Sequence, residues 1–361
     1  MAIYGYNYGY WRNMELHKKN IIITPKILKL IAEIDEFKGS WAALGQLAPD
    51  RLVSLRKVAT IQSVASSTRI EGAKLSDSEV NVLLTGLDFN TFQSRDEEEV
   101  AGYAEAMNMI LSSFEQIQPY ENIIKQLHQL LLKFSSKDVR HRGQYKKLNN
   151  HVEAFGPSGN SLGIIFQTAT PLETPYRMET LCLWLRASIL ESDEHILIII
   201  SKFILEFLEI HPFQDGNGRL SRALTTLLLL RSGYDYVPYS SMERIIEENK
   251  DQYYLSLRGA QTEDTKESVK LGNWIRFFLE CLKKQKDSLQ HKLEKEKSLM
   301  SLPKLSVQII IILKDHGSLS LSELVKLIGA NRNTVKSHLF KLVNVNKIKQ
   351  MGKGKGTTYS L

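Results

Sequence analysis

His211-Pro212-Phe213-Gln214-Asp215-Gly216-Asn217-Gly218-Arg219-Leu220-Ser221-Arg222 stands between two runs, 196–210 and 220–230, that are apolar on nearly every side. Helices apolar all round are surrounded by protein, so this polar segment is read as the joint between two core helices. Around it the period is helical: apolar residues recur at three- and four-residue spacing through 25–37, 51–70, 100–117, 120–134 and 175–190. Ser76-Asp77-Ser78-Glu79 offers an N-cap and an early acid to a helix over 80–87, and 242–258 and 272–284 supply two more helices. Only 143–175 departs from this period. There Gly, Pro, Asn and Ser surround a β-prone run, Gly163-Ile164-Ile165-Phe166-Gln167, which reads as a hairpin or extended flap followed by a loop to Pro175. The expected fold class is mainly α with one short β-hairpin flap, plus a small C-terminal domain.

The 361-residue length suits two domains or more, and 43% apolar with 24% charged residues is ordinary for a globular chain. Cys182 and Cys281 lie in apolar helical text, which argues against a disulfide framework and for a reducing compartment. The tyrosine-rich residues 1–11 lack the charged start and apolar run of a secretory leader. The run 196–210 is too short to span a bilayer and is interrupted by Lys202, Glu206 and Glu209. The expectation is a soluble, cytoplasmic protein with no membrane contact. Of the net charge of +7, residues 300–361 carry +8, from ten Lys/Arg against Asp315 and Glu323, so the rest is close to neutral. A basic tail points to an acidic partner.

The chemistry of 211–222 follows from its residue types. A helix start after Gly216-Asn217-Gly218 presents N–H groups and a positive dipole end to an anion, and the glycines let the backbone form a nest. Arg219 and Arg222, three apart, share a helix face and suit phosphate oxygens. Asp215 is the only acid in the loop, and a single carboxylate fits Mg²⁺, which takes phosphates and waters as its other ligands. His211 can remove a proton from a hydroxyl near neutral pH. Taken singly, each residue has a plainer role: a turn, a helix cap, a surface charge. Their concentration within one turn favours a phosphate site.

The string has the form H-x-F-x-D-G-N-G-R-x-x-R and resembles the signature of the Fic family at all eight fixed positions. The resemblance extends over about 52–282. It implies a Fic-type helical core whose members mostly transfer AMP from ATP to a hydroxyl of a target protein, releasing pyrophosphate. On that analogy His211 is the general base and Asp215 holds Mg²⁺ against the α- and β-phosphates. Gly216, Asn217 and Gly218 cradle the α-phosphate, Arg219 and Arg222 grip the β- and γ-phosphates, and Phe213 pins the loop. The flap, Ile164 to Gln167, would align a target segment by main-chain pairing. Here it is followed by Thr168-Ala169-Thr170-Pro171 where many relatives carry a proline run. Tyr253 and Tyr254 resemble a pair that flanks adenosine in relatives, with ordinary helix packing as the alternative, and Gln261 stands where the family often has Asn.

Ser67-Thr68-Arg69-Ile70-Glu71-Gly72 resembles the family's inhibitory pattern, [S/T]-x-x-x-E-[G/N]. That resemblance implies a Glu71–Arg222 pair that blocks the γ-phosphate and keeps basal activity low. The plainer readings are a capping box, Thr68 to Glu71, or an acid before a C-terminal glycine. In some relatives the same glutamate orients a water that removes AMP, and others use different nucleotide donors. Both stay open here, as does a DNA-binding regulator with a nucleotide-sensing core. The resemblance also implies a homodimer.

In the basic tail, 305–316, 320–328 and 331–343 read as three helices, and 347–350 and 357–361 flank a Gly/Lys hairpin at 352–356. This resembles a winged helix-turn-helix domain. Arg332, Asn333, Thr334, Lys336, Ser337 and Lys341 would face outward, and Lys353 and Lys355 would suit a nucleic-acid backbone. Dimerisation or docking to a target protein is the alternative use. The expected organisation is a helical region with the inhibitory segment over 1–95, a Fic domain over 96–282, a helical linker over 283–300 and the winged helix over 301–361. ATP, an unidentified target protein, and DNA through 301–361 are the expected partners, with Mg²⁺ as cofactor.

Overall fold

Amphipathic period becomes helix throughout the computed structural model, which describes residues 21–44, 49–86, 92–155, 161–261, 267–300, 302–352 and 354–361. The chain divides into two units, 1–288 and 289–361. In the first, α1 (Pro25–Leu44), α2 (Pro49–Ile70), α3 (Asp77–Gly86), α4 (Arg95–Ser113) and α5 (Glu121–Leu131) precede an antiparallel hairpin of β1 (His151–Phe155) and β2 (Ser161–Gln167). Then follow α6 (Thr174–Glu191), α7 (Ile196–Ile210), α8 (Asn217–Arg231), α9 (Met242–Glu248), α10 (Lys250–Gln261) and α11 (Glu267–Met300), whose residues from 289 on are counted with the second unit. Helix starts obey local chemistry. Ser94 caps α4 by accepting from the Glu97 N–H, Ser76 and Glu79 form a reciprocal capping pair before α3, and Pro175 sits in the first turn of α6.

Two expectations need adjusting. The stretch 242–258 is two helices, because Asn249 turns its side-chain amide onto the Ile245 carbonyl and closes α9. The stretch 283–300, read as a solvated helical linker, is helical, but Leu289 and Leu293 within it are buried.

The centre of the first unit is α7 against α8. Leu197, Ile200, Phe203, Phe207 and Ile210 on α7 and Leu220, Ala223, Leu224 and Leu227 on α8 are all buried. Each large apolar side chain so removed from water contributes roughly 1.5–3 kcal/mol, as an upper estimate. α6 packs on α7, α5 and α4 on α8, and α2 on α4 and α9. Gly102 of α4 lies so close to α5 that an added Cβ would overlap the Leu131 carbonyl. The joint between α7 and α8 is thus held on several sides by rigid helices.

The second unit contains α12 (Lys304–His316), β3 (Leu319–Ser320), α13 (Leu321–Ile328), α14 (Arg332–Asn344), β4 (Lys349–Met351) and β5 (Thr358–Ser360), with strand order β3-β5-β4. Its core is Ile309, Leu313, Leu324, Val335, Leu339, Leu342, Ile348 and Tyr359. A Ser320–Glu323 capping box starts α13 and Gly329, at φ 70°, ends it. Along α14 the apolar stripe Val335, Leu339, Leu342 faces inward, while Arg332, Asn333, Thr334, Lys336, Ser337 and Lys341 are exposed.

Candidate active site

The site starts where α7 stops. His211 takes the left-handed conformation, φ 51° and ψ 60°, and its N–H still bonds the Phe207 carbonyl at 3.0 Å. For a residue with a Cβ this conformation costs about 1 kcal/mol, and it swings the imidazole out of the helix. Nδ1 lies 3.3 Å from the Leu208 carbonyl. A carbonyl only accepts, so Nδ1 carries the proton and Nε2 presents its lone pair. Burial lowers the His211 pKa to about 4, with the Lys146 charge adding to the effect. The ring is therefore a neutral base at physiological pH.

The next residues are locked. Phe213 is fully buried and stacks on His128 at 3.8 Å between ring centroids. Asn217 grips the Phe213 backbone at both ends, its Oδ1 accepting from N–H at 2.9 Å and its Nδ2 donating to the carbonyl at 2.7 Å. The Asn217 side chain is thereby committed to the loop, so what this residue turns toward an anion is its backbone N–H. His128 Nδ1 accepts from the Gly143 N–H at 3.0 Å, so Nε2 bears the proton and donates to the Asp215 carbonyl, also at 3.0 Å. His128 lies on the apolar face of α5 with Ile124, Leu127 and Leu131. That spacing was the signal that could have marked it as the loop's support.

Burial also lowers the His128 pKa to about 4. An unfolded chain would take up this proton near pH 6.5, and the folded protein does not until about 4. The contribution is fully present above about 6.5 and is lost as pH falls through this window, because the unfolded state binds more protons. His128→Gln is expected to flatten the fall in urea midpoint between pH 7 and 5; a slope identical to the parent's would contradict it.

Gly216 caps α8 at φ 80°, and a Cβ there would come within 2.9 Å of Leu131 Cδ2. Glycine thus meets both the conformation and the close packing. The first N–H groups of α8 form an anion-binding end. At its rim, Asp215 Oδ1 accepts from the Gly216 N–H at 2.6 Å and its carboxylate is about one-third exposed (34%). Burial alone would raise the Asp215 pKa, but Arg219, the Gly216 N–H and Arg95 outweigh it and hold the carboxyl ionised.

The two arginines face different partners. Arg219 is buried and bridges Glu99 (3.1 Å) and Asp215 (3.4 Å), while Arg95 joins the same two acids at 2.8 and 3.3 Å. Arg222 Nε donates to Ser67 Oγ and its Nη2 to the Ser67 carbonyl and Glu71 Oε1, each at 2.8 Å. Glu71 comes 151 residues earlier in sequence, just past the end of α2. Thr68 lies within the last turn, its hydroxyl on the Val64 and Ala65 carbonyls, so the capping-box reading fails. Gly72, at φ 108°, completes the turn that releases Glu71 from the helix. Burial pushes the Glu71 carboxyl up, but the Arg222 guanidinium overrides it and holds the pKa below the usual value. The Glu71 carboxylate also covers Gly218, where an added Cβ would overlap Oε1. Glu71 therefore rests on the same helix end that suits phosphate.

Tyr253 is buried against Tyr254, Trp274 and Phe277, which makes it part of the core, and Tyr254 is half-buried. The side chains of Ile164, Ile165, Phe166, Gln167, Gln261 and Lys355, and all of Lys353, lie outside the described residues. The flap backbone is described, with register shifts between Val152/Glu153 and Ala154/Phe155. Besides His128, sequence reasoning missed Arg95, Glu99, Lys146 and Asn150. They come from α4 and the segment before β1, and no local pattern singles them out.

Residues 117–229 match the model of the Fic/DOC family. The chain is similar to proteins named protein adenylyltransferase Fic: that of Drosophila grimshawi is 26% identical over 273 residues, 74% of this chain and 50% of the relative. That of Drosophila virilis is 27% identical, over 71% of this chain and 48% of the relative. The chain thus spans about half the length of these curated relatives. Among solved structures, a Fic family protein from Desulfovibrio desulfuricans G20 aligns with a TM-score of 0.60 and 24% identity, over 94% of this chain and 97% of that one. A Fic-domain signalling protein from Bacteroides thetaiotaomicron aligns at 0.59 and 21%, over 73% and 97%. These likenesses show the fold.

Proposed function

We propose that this chain, whose residues 117–229 form a Fic/DOC-family domain, is an auto-inhibited protein adenylyltransferase that moves AMP from ATP to a hydroxyl of a protein target. The observation that carries this reading is the neutral His211, its Nε2 lone pair free to accept, held next to the anion-binding start of α8. His211 takes the proton of the attacking hydroxyl, and the N–H groups of the nest hold the α-phosphate as charge develops on it. The new bond forms between target oxygen and α-phosphorus, the bond to the β-phosphate bridging oxygen breaks, and pyrophosphate leaves. Relatives named for this activity support it.

Asp215 suits Mg²⁺. Its carboxylate is ionised and partly exposed at the rim of a phosphate nest, where the metal's remaining ligands would be phosphates and waters. Among the described residues no group of three or more His, Cys, Asp or Glu that could hold a metal ion is present. Glu71 on Arg222 and Gly218 is the brake: ATP has to displace a carboxylate before its terminal phosphate can reach Arg222. The reading is tested with Mg²⁺·ATP labelled at the α- or γ-phosphate. Label is expected on protein from the α-position only; retention of γ-label would mean a phosphoryl transfer instead.

The second unit, with its three helices, three-stranded sheet and exposed Arg332, Lys336 and Lys341, is proposed as a winged helix that docks on DNA. Duplex binding by the full chain, followed by fluorescence anisotropy, should weaken steeply with salt and with Lys336→Ala, in keeping with phosphate neutralisation. Binding unchanged by either would favour protein docking. No described helix is long and apolar enough to cross a membrane. Cys182 and Cys281 are free, and on that ground a reducing, cytoplasmic setting is proposed.

A further inference from the structure

Lys146 is, with Lys202, one of two buried lysines among the described residues, with 3% of its surface exposed. Among the described residues its ammonium has no salt bridge and meets three neutral acceptors: Asn150 Oδ1 at 2.8 Å, Thr168 Oγ1 at 2.9 Å and the Ile210 carbonyl at 2.9 Å. Three donors meet three acceptors, so the geometry is saturated. Their positions in the chain matter. Asn150 directly precedes β1, Thr168 directly follows β2, and Ile210 is the last residue of α7, immediately before His211. The contacts are cross-braced. The Thr168 hydroxyl donates to Asn150, Asn150 Nδ2 donates to the Phe213 carbonyl at 2.8 Å, and the Lys146 N–H donates to the Pro212 carbonyl at 2.9 Å.

We infer that Lys146 is a positioning residue for the proposed transfer: one buried cation ties both roots of the flap to the backbone of the His211 loop and so sets the distance between the target-bearing hairpin and the base. The inference rests on the adenylyltransferase reading for its purpose, though not for its geometry. A charge buried among neutral groups is costly to keep, and an amide or hydroxyl could hold one root of the flap but not three elements at once. The ammonium has a second effect, because its charge helps hold His211 neutral. The other charged groups that act on Lys146 are Arg177 at the start of α6 and Glu173 just before it, and burial is what chiefly lowers its own pKa, to about 8.

The experiment uses the full chain carrying Glu71→Gly, alone and with Lys146→Met, Lys146→Gln or Thr168→Val. Three quantities are read: hydrogen exchange over 150–168, the NMR titration of His211, and the ratio of AMP transfer to Mg²⁺·ATP affinity. With either Lys146 variant, flap exchange is expected to quicken by about tenfold and the His211 titration to move upward, since a positive neighbour is gone. Transfer should fall at least tenfold, while nucleotide affinity stays within about threefold because the nest is untouched. Thr168→Val keeps the charge and cuts one tether, so exchange should quicken with the His211 titration unmoved. Unchanged flap exchange in all three variants would overturn the inference. So would affinity and transfer falling together, which would mean only a collapsed loop. If the Glu71→Gly parent transfers no AMP, the adenylyltransferase reading fails, and the exchange and titration results still decide the role of Lys146.

Discussion

Replacing Glu71 with Gly should raise AMP transfer by roughly ten- to 150-fold over the natural chain, the range implied by losing one charge-assisted contact worth about 1.5–3 kcal/mol. The rise comes from removing a competitor, because Glu71 Oε1 both accepts from Arg222 Nη2 and covers Gly218. Arg222 keeps its two contacts with Ser67, so the guanidinium stays in place and is available to a phosphate. Its Nη1, buried without a partner among the described residues, adds a further donor on that side. The gain should appear mainly as tighter productive seating of Mg²⁺·ATP, and at saturating nucleotide it should shrink. An unchanged rate at low ATP would remove the brake from the account.

His211→Ala in the Glu71→Gly background should cancel that gain or more, with transfer falling by about 10²–10⁴-fold, the usual contribution of a positioned general base. Nucleotide binding should survive, since the anion-binding end is made by the first N–H groups of α8, and among the described residues the His211 side chain contacts the Leu208 carbonyl. The pH profile adds a sign. The His211 pKa lies near 4, so transfer in the Glu71→Gly chain should be flat through neutrality and fall only as pH approaches that value. A variant that transfers AMP at the parental rate without the imidazole would refute the base assignment.

Much of this could be read in the chain. The apolar all-round runs at 196–210 and 220–230 became the buried α7 and α8 because no other packing hides every face. The turn between them was legible as well, because glycine, asparagine and a helix start encode its backbone geometry locally. The Glu71–Arg222 contact was legible only through family resemblance, since nothing local in 67–72 says where that carboxylate goes. The ring of Arg95, Glu99, Arg219 and Asp215 was not legible at all. Arg95 and Arg219 stand 124 positions apart, and only the packing of α4 on α8 brings them together. Asn217 was read as an anion ligand, but its side chain is occupied within the loop. An amide's residue type does not reveal which of two nearby backbones it will serve.

The contorted backbone at His211 has one more consequence. Glycine would sit there without that cost, so the position is one where durability and reactivity pull apart. A chain drifting toward mere sturdiness would lose its imidazole first, and its fold would be the better for it.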